Sequence, residues 1–210
     1  MHHDCGNTVK VGVINVPTFY LDSRARAHGV PNYRSTTRDV RRLVSELMDE
    51  NVAGIVVDLR GNSGGSLVEA TELTGLFIKS GPVVQIRDSR GRMQVNKDPD
   101  PSIAYRGPLA VLVDRRSASA SEIFSAAIQD YQRGIILGEP TYGKGTVQNL
   151  FDLDQRGGLG QLKVTIAQFF RINGEGTQHR GVVPDIVFPT AIDSKSHGER
   201  ALDNALPWAS

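Results

Sequence analysis

The chain reads as one α/β domain with a partly parallel sheet and antiparallel additions toward its C-terminal side. Three observations predict this. Short apolar runs alternate with helical periodicity, two of those runs pass through glycine- or serine-rich turns into helices, and the last third of the chain returns to extended patterning. At 210 residues, one continuous core can be buried without disulfides or metals as staples.

The elements follow in order. Lys10 to Val16 alternates and is β-branched, which predicts a strand that Pro17 stops. From Thr36 to Glu50, Val40, Leu43, Val44, Leu47 and Met48 recur at helical spacing with charged residues opposite, so this is an amphipathic helix. Val52 to Leu59 is almost wholly apolar and suits a strand covered on both faces. It enters the turn Arg60-Gly61-Asn62-Ser63-Gly64-Gly65 and then a helix from Ser66 to Lys79. The order recurs with Pro108 to Val113 as strand, Asp114 to Ala118 as turn and Ser119 to Tyr131 as helix. Gly134 to Leu137 is a further short strand, Thr146 to Phe151 favours a strand, and Leu162, Val164 and Ile166 alternate in an extended run ending near Phe170. Asn173-Gly174 is a hairpin signal. Asp98 to Ser102, with Pro99 and Pro101, reads as a surface loop. The expected organisation is a tag or trimmed end at 1–8, a core at 9–192, and a polar hinge with a short helix leading out of the core at 193–210.

Composition excludes several classes. Lys plus Arg number 24 against 23 for Asp plus Glu, so the near-neutral chain has no electrostatic footprint for nucleic acid. Cys5 is the single cysteine, which excludes an internal disulfide, and no Cys/His cluster has metal-ligand spacing. No apolar run approaches the roughly 18 residues of a membrane span, and the N-terminus lacks the basic-then-apolar order of a secretion signal.

Two stretches carry chemistry: Ser117-Ala118-Ser119-Ala120-Ser121-Glu122, and Thr141-Tyr142-Gly143-Lys144-Gly145-Thr146-Val147-Gln148. A serine hydroxyl needs a neighbour to take its proton, and a lysine can do so only when burial lowers its pKa. Ser119-Ala120-Ser121-Glu122 also fits a capping box, and the two readings are compatible because the amides at a helix start can hold an oxyanion. Gly64-Gly65 reads as a tight turn or, beside such a serine, as a second amide donor. Gly138 to Lys144 matches the first seven positions of G-x-x-x-x-G-K-[ST] but meets Gly145 at the eighth, so a nucleotide site is set aside. His2, His3, His28, His179 and His197 have no motif around them and read as solvated surface groups.

Together these residues resemble the carboxy-terminal processing or tail-specific serine peptidases, in their bacterial Prc-like branch. The resemblance takes in Val57 to Gly65, the Ser117 to Glu122 block, Ile128-Gln129-Asp130-Tyr131, Gly138 to Gln148, Ala167 to Arg171 and Gly181 to Ile186. It implies the crotonase-like (ClpP/crotonase) ββα superhelix, with Ser119 as nucleophile, Lys144 as general base 25 residues on, and Gln148 orienting the lysine. It implies an oxyanion hole from the amides of Ala120 and of the Gly64-Gly65 turn, Gly65 being favoured over Gly64. Asp130 matches a family aspartate and is read as structural support. No metal or cofactor is implied. The implied substrates are unfolded or C-terminally exposed proteins and peptides, in the periplasm, with an adaptor protein in the full-length context and an open oligomeric state. Family members usually carry a PDZ domain, and none is expected in this chain. The rival expectation is a peptide-binding core of the same fold that is silent without that domain.

Overall fold

The computed structural model describes residues 9–98, 100–154, 158–190 and 196–210. The expectations placed on the 1–8 end, Cys5 within it, Pro99 and residues 193–195 of the hinge lie outside the described residues.

Two sheets and four α-helices make up the described residues. The parallel sheet has the order β1-β2-β5-β6-β9, from β1 (Val11–Asn15), β2 (Gly54–Asp58), β5 (Leu109–Val113), β6 (Ile135–Gly138) and β9 (Ile186–Val187). The antiparallel sheet has the order β4-β3-β8-β7, from β3 (Gly81–Asp88), β4 (Met93–Asp98), β7 (Thr146–Asp152) and β8 (Gln161–Phe170). The helices are α1 (Ser23–Ala27), α2 (Thr36–Asp49), α3 (Leu67–Gly75) and α4 (Ala120–Asp130). Each of the last three begins at a serine, Ser35, Ser66 and Ser119, as expected where a side-chain oxygen is needed for orphan N–H groups.

Helices α3 and α4 pack together, and α4 also touches both sheets through β3 and β6. Residues 120–128 of α4 are all buried. The core joins Ile55, Val57, Val111 and Ile136 of the parallel sheet to Val40 and Val44 of α2, Leu73 of α3, Phe124 and Ile128 of α4, and Phe169 of β8. Phe124 is its centre, with ring centroids 6.0 Å from Phe77 and 6.4 Å from Phe19.

The structure corrects two expectations. Ile55 and Val57 of the second strand are buried and Val56 is half-buried, but the sheet around it is not covered on both faces. Helices and the antiparallel sheet occupy one side, while on the other Val11 and Val13 remain 53% and 62% exposed and Ile135 and Ile186 about as much. Apolar periodicity reports hydrophobicity and not what arrives to cover it. The antiparallel additions are not confined to the C-terminal side, because the hairpin of β3 and β4, unread in the sequence, sits mid-chain and pairs with β8. The stretch 198–209 packs against the core. After a single 3₁₀ turn at Glu199–Ala201, it folds back so that Trp208 Nε1 donates to the Gly176 carbonyl at 2.9 Å and the Ala209 carbonyl accepts from Gly176 N–H at 3.0 Å.

Phe124→Ala removes the ring that joins these layers. It is expected to cost about 3–5 kcal/mol, the range for a fully buried phenylalanine. A loss of unfolding free energy, from urea denaturation, of less than about 1 kcal/mol would contradict this account of the core.

Candidate active site

Three loops leave the C-terminal ends of the parallel strands and are stitched together there, where open α/β sheets place their ligands. The first, 59–66, follows β2. Asn62 is fully buried in it, donating to the Val16 carbonyl at 2.7 Å and accepting from Gly64 N–H at 2.8 Å. The second, 114–119, follows β5 and hangs from the first, since the Asn62 carbonyl accepts from Ala118 N–H at 3.0 Å and from Ser121 Oγ at 2.9 Å. The third, 139–145, follows β6 and is tied to the second by Tyr142 N–H donating to the Ser117 carbonyl at 3.0 Å.

This arrangement separates the three serines of the motif. Ser117 and Ser121 are fully buried, and their hydroxyls are spent on the carbonyls of Leu59 and Asn62. Ser119 faces a cavity of about 450 Å³ with Gly65, Ala120, Lys144, Gln148, Lys163 and the apolar Leu67, Ile123 and Phe169 in its walls. Its backbone has φ +56° and ψ −111°, a region costing a non-glycine residue about 1–3 kcal/mol. Gly64 lies directly against it. A Cβ on Gly64 would meet the Ala118 carbonyl oxygen at 2.8 Å and Ser119 Cβ at 2.9 Å, so only glycine allows this approach.

The two glycines now differ. Gly64 N–H is engaged by Asn62, whereas among the described residues no hydrogen bond engages the N–H of Gly65 or of Ala120. Both of the latter line the cavity. They are the pair available to an oxyanion.

Glu122 was legible in the sequence only as a helix cap, and it does more. Its carboxylate is fully buried and accepts four hydrogen bonds, two on each oxygen. Oε2 takes Ser119 N–H at 2.8 Å and Lys144 N–H at 3.0 Å, while Oε1 takes Gly143 N–H at 2.7 Å and Thr141 Oγ1 at 2.6 Å. Thr141 Oγ1 in turn accepts from Val182 N–H at 2.7 Å, which commits its proton to Glu122. Burial pushes the carboxyl up to about 7, and the four donors pull against that shift by favouring the charged form. One side chain thus holds the Ser119 and Lys144 backbones together.

Lys144 is half-buried and forms no ion pair among the described residues. Desolvation holds its pKa below the ordinary lysine range, and the nearby Lys163 charge adds to this, against weaker opposing fields from Glu199 and Glu122. Gln148 lines the same cavity at a β-bulge in β7. Its amide donates to Thr165 Oγ1 at 3.4 Å, and among the described residues it makes no hydrogen bond to Lys144. Asp130 is outside the cavity lining, in a mostly buried ion pair with Arg171, which also donates to Gln129 Oε1 at 2.9 Å. His179 is not a solvated surface group. It sits at φ +64° against the lysine loop, its N–H donating to the Gly143 carbonyl at 2.8 Å and its Nε2 buried without a partner. A strand, β7, follows Lys144 where a phosphate-binding loop would feed a helix.

The model of peptidase family S41 matches residues 10–188, and the chain belongs to that family. The tail-specific protease of Haemophilus influenzae is 48% identical over 204 residues, 94% of this chain and 27% of that protein. The chloroplastic carboxyl-terminal-processing peptidase 2 of Arabidopsis thaliana is 37% identical over 187 residues, 89% of this chain and 33% of that protein. The chain therefore spans 27–33% of the length of these two relatives. Among solved structures, the photosystem II D1 C-terminal processing protease superposes with a TM-score of 0.70 at 33% identity, covering 85% of this chain and 42% of that one. Mature CPAF, at 16% identity and a TM-score of 0.67 over 89% of this chain and 48% of its own, shares the fold. The ClpP/crotonase-like α/β class expected from the sequence is the class of these neighbours.

Glu122→Gln separates the clamp from general stability. Glutamine has one acceptor oxygen and turns an NH₂ toward N–H donors, but it also removes a buried charge, and at about 1–3 kcal/mol per orphaned donor these effects are of similar size. The expected result is amide exchange at Gly143 and Lys144 faster by about tenfold or more, with Tm moved by only about 2–8 °C. NMR-detected hydrogen exchange checks this, and unchanged protection at both amides would remove Glu122 from its role.

Proposed function

We propose that this member of peptidase family S41 is a serine endopeptidase with Ser119 as nucleophile and Lys144 as general base. The observation that carries the reading is the shared cavity. It brings together a serine on strained backbone at the start of a buried helix, a half-buried lysine with no ion pair and a lowered pKa, and two unengaged amides.

Ser119 Oγ attacks the scissile carbonyl carbon as neutral Lys144 takes its proton. The charge that forms on the carbonyl oxygen is received by the N–H groups of Ala120 and Gly65 at the positive end of α4. Lys144 returns the proton to the leaving amine as the C–N bond breaks, leaving an ester on Ser119. Water, deprotonated by the same amine, then hydrolyses the ester and restores the serine. Gln148 orients Lys144 once substrate displaces it from Thr165. Asp130 braces α4 against Arg171 and moves no proton.

The cavity wall includes Thr146, Val147, Gln148 and Asn149 of β7, an edge strand. A segment entering beside a free edge must be extended, which supports unfolded or C-terminally exposed protein as substrate. Periplasmic action and an adaptor protein in the full-length context rest on the resemblance to bacterial tail-specific peptidases.

Ser119→Ala and Lys144→Ala are each expected to lower casein degradation by about a thousandfold or more, and Lys144→Arg to fail equally because a guanidinium stays charged. Equal degradation by wild type and the alanine variants ends the assignment. The rival, a binding core without activity, predicts that a fluorophosphonate leaves Ser119 unlabelled.

The pH dependence has a defined sign. The chemistry needs Lys144 neutral and the loop clamp needs Glu122 charged, so both requirements are lost as pH falls. Because burial pushes Glu122 up to about 7, kcat/KM is expected to rise through that region on the acid side. A profile already flat at about pH 5 would contradict this.

A further inference from the structure

The lysine loop is held from two sides. On its inner side are Glu122 and the Ser117 carbonyl. On its outer side, three contacts come from elsewhere: Glu199 N–H donates to the Tyr142 carbonyl at 2.9 Å, His179 N–H to the Gly143 carbonyl at 2.8 Å, and Gly145 N–H to Gln178 Oε1 at 2.7 Å. Gln178 is 2% exposed and its amide is used at both ends. While Oε1 holds Gly145, Nε2 donates to the Leu206 carbonyl at 3.0 Å and to Glu199 Oε1 at 3.3 Å. The pattern fixes the amide's orientation, because exchanging O and N would set donor against donor at Gly145 and acceptor against acceptor at Leu206.

We propose that Gln178 is a positioning residue that couples seating of the C-terminal segment 198–209 to placement of the Lys144 backbone. The proposal rests on the reading of Lys144 as general base.

The segment can serve as a strap because its hold is polar and local. Beyond the bonds to Gln178, it is fixed by Trp208 Nε1 on the Gly176 carbonyl, by Gly176 N–H on the Ala209 carbonyl, and by the Arg180 guanidinium lying 3.8 Å from the centre of the Trp208 ring. It buries little apolar surface, with Leu202 52% and Leu206 43% exposed. Segments held this way open well below the free energy of global unfolding. When the strap lifts, Gln178 loses its acceptors at Leu206 and Glu199 and gains freedom to release Gly145, next to Lys144. The strap also carries charge to the site. The charged groups acting on Lys144 are Lys163 from β8, which disfavours the ammonium, and Glu199 from the strap and Glu122 from α4, which both favour it. No residue of the strap lines the cavity that desolvates Lys144, so lifting the strap removes the Glu199 charge with those walls in place and moves the Lys144 titration to lower pH even as it loosens the loop. A purely structural role for Gln178 would not produce that combination.

The test uses Trp208→Ala, which frees the strap at a position away from the cavity, Gln178→Leu, and the double variant. Kinetics on a quenched-fluorescence peptide is paired with NMR titration of the Lys144 side-chain ¹⁵N, which needs no turnover. Trp208→Ala is expected to lower kcat about five- to twentyfold with KM within about threefold, the range of ordinary coupling energies, and to lower the Lys144 midpoint. In the Gln178→Leu background it should add less than about twofold, because the route to the loop is already cut. Gln178→Glu, which keeps the acceptor for Gly145 but in its charged form offers no donor to Leu206, should resemble Trp208→Ala in its loss of kcat, while its added charge raises the Lys144 midpoint. Additive effects in the double variant, or an unchanged Lys144 midpoint in Trp208→Ala, overturn the proposal. Absence of turnover in every variant including wild type would instead count against the peptidase reading, with the titration still deciding the strap.

Discussion

A fully buried carboxylate with four donors is the constraint on which this site depends. An ionised Glu122 without partners could not stay charged inside the fold, and its partners are three backbone N–H groups and the Thr141 hydroxyl, which the chain must deliver from two separate loops. Delivery requires residues 141–144 to leave regular structure so that successive N–H groups converge on one side chain. It also requires the residue just before the motif's helix to accept an unfavourable backbone conformation, because Ser119 N–H must turn inward to reach Oε2 while its side chain turns out to the cavity. A charge-assisted bond of about 1.5–3 kcal/mol is enough to offset strain of about 1–3 kcal/mol. The backbones of Ser119 and Lys144, the proposed nucleophile and base, are held by a common acceptor beneath them.

Two opposite ionisation demands then meet in a small volume. Glu122 must be charged to hold the loops, and in the proposed mechanism Lys144 must be neutral to accept a proton, although each charge favours the other. The conflict is eased because Glu122 spends its lone pairs on dipoles, leaving no direct bond to the ammonium. Lys163 and the apolar walls act on Lys144 in the opposite sense. Burial thus pushes both groups toward their neutral forms, and the four donors on Glu122 are what pull its carboxyl back toward the charged one.

Much of this was legible in the sequence, for identifiable reasons. The α2 stripe of Val40 and Val44, the apolar second strand and the serines Ser66 and Ser119 at the starts of α3 and α4 are local patterns, and the structure places them within a residue or two of where they read. The α4 serine motif and the glycine turn were visible as separate features. What the sequence could not show was the relation between loops. Which of Ser117, Ser119 and Ser121 faces the cavity depends on carbonyls about 58 residues away. The choice between Gly64 and Gly65 depends on the side chain of Asn62. The β3–β4 hairpin was missed because its outer strand, Met93–Asp98, is polar and largely exposed, and its register is set by the distant β8. His179 reads as solvated for a related reason, since a polar loop residue looks exposed until something is seen to pack on it.

The capping box shows why local and functional readings need not compete. A cap asks for a side-chain acceptor near the first helical N–H groups, and an oxyanion asks for those same groups to stay free. At α4 both demands are met by moving the acceptor. Glu122 reaches back to Ser119 N–H, which lies before the helix, while Ala120 N–H at its first residue stays open to the cavity beside Gly65. Any substitution that moved the acceptor onto Ala120 would improve the helix and close the site. Ordinary helix stabilisation and the proposed chemistry therefore pull on the same few N–H groups, and the burial of Glu122 decides between them.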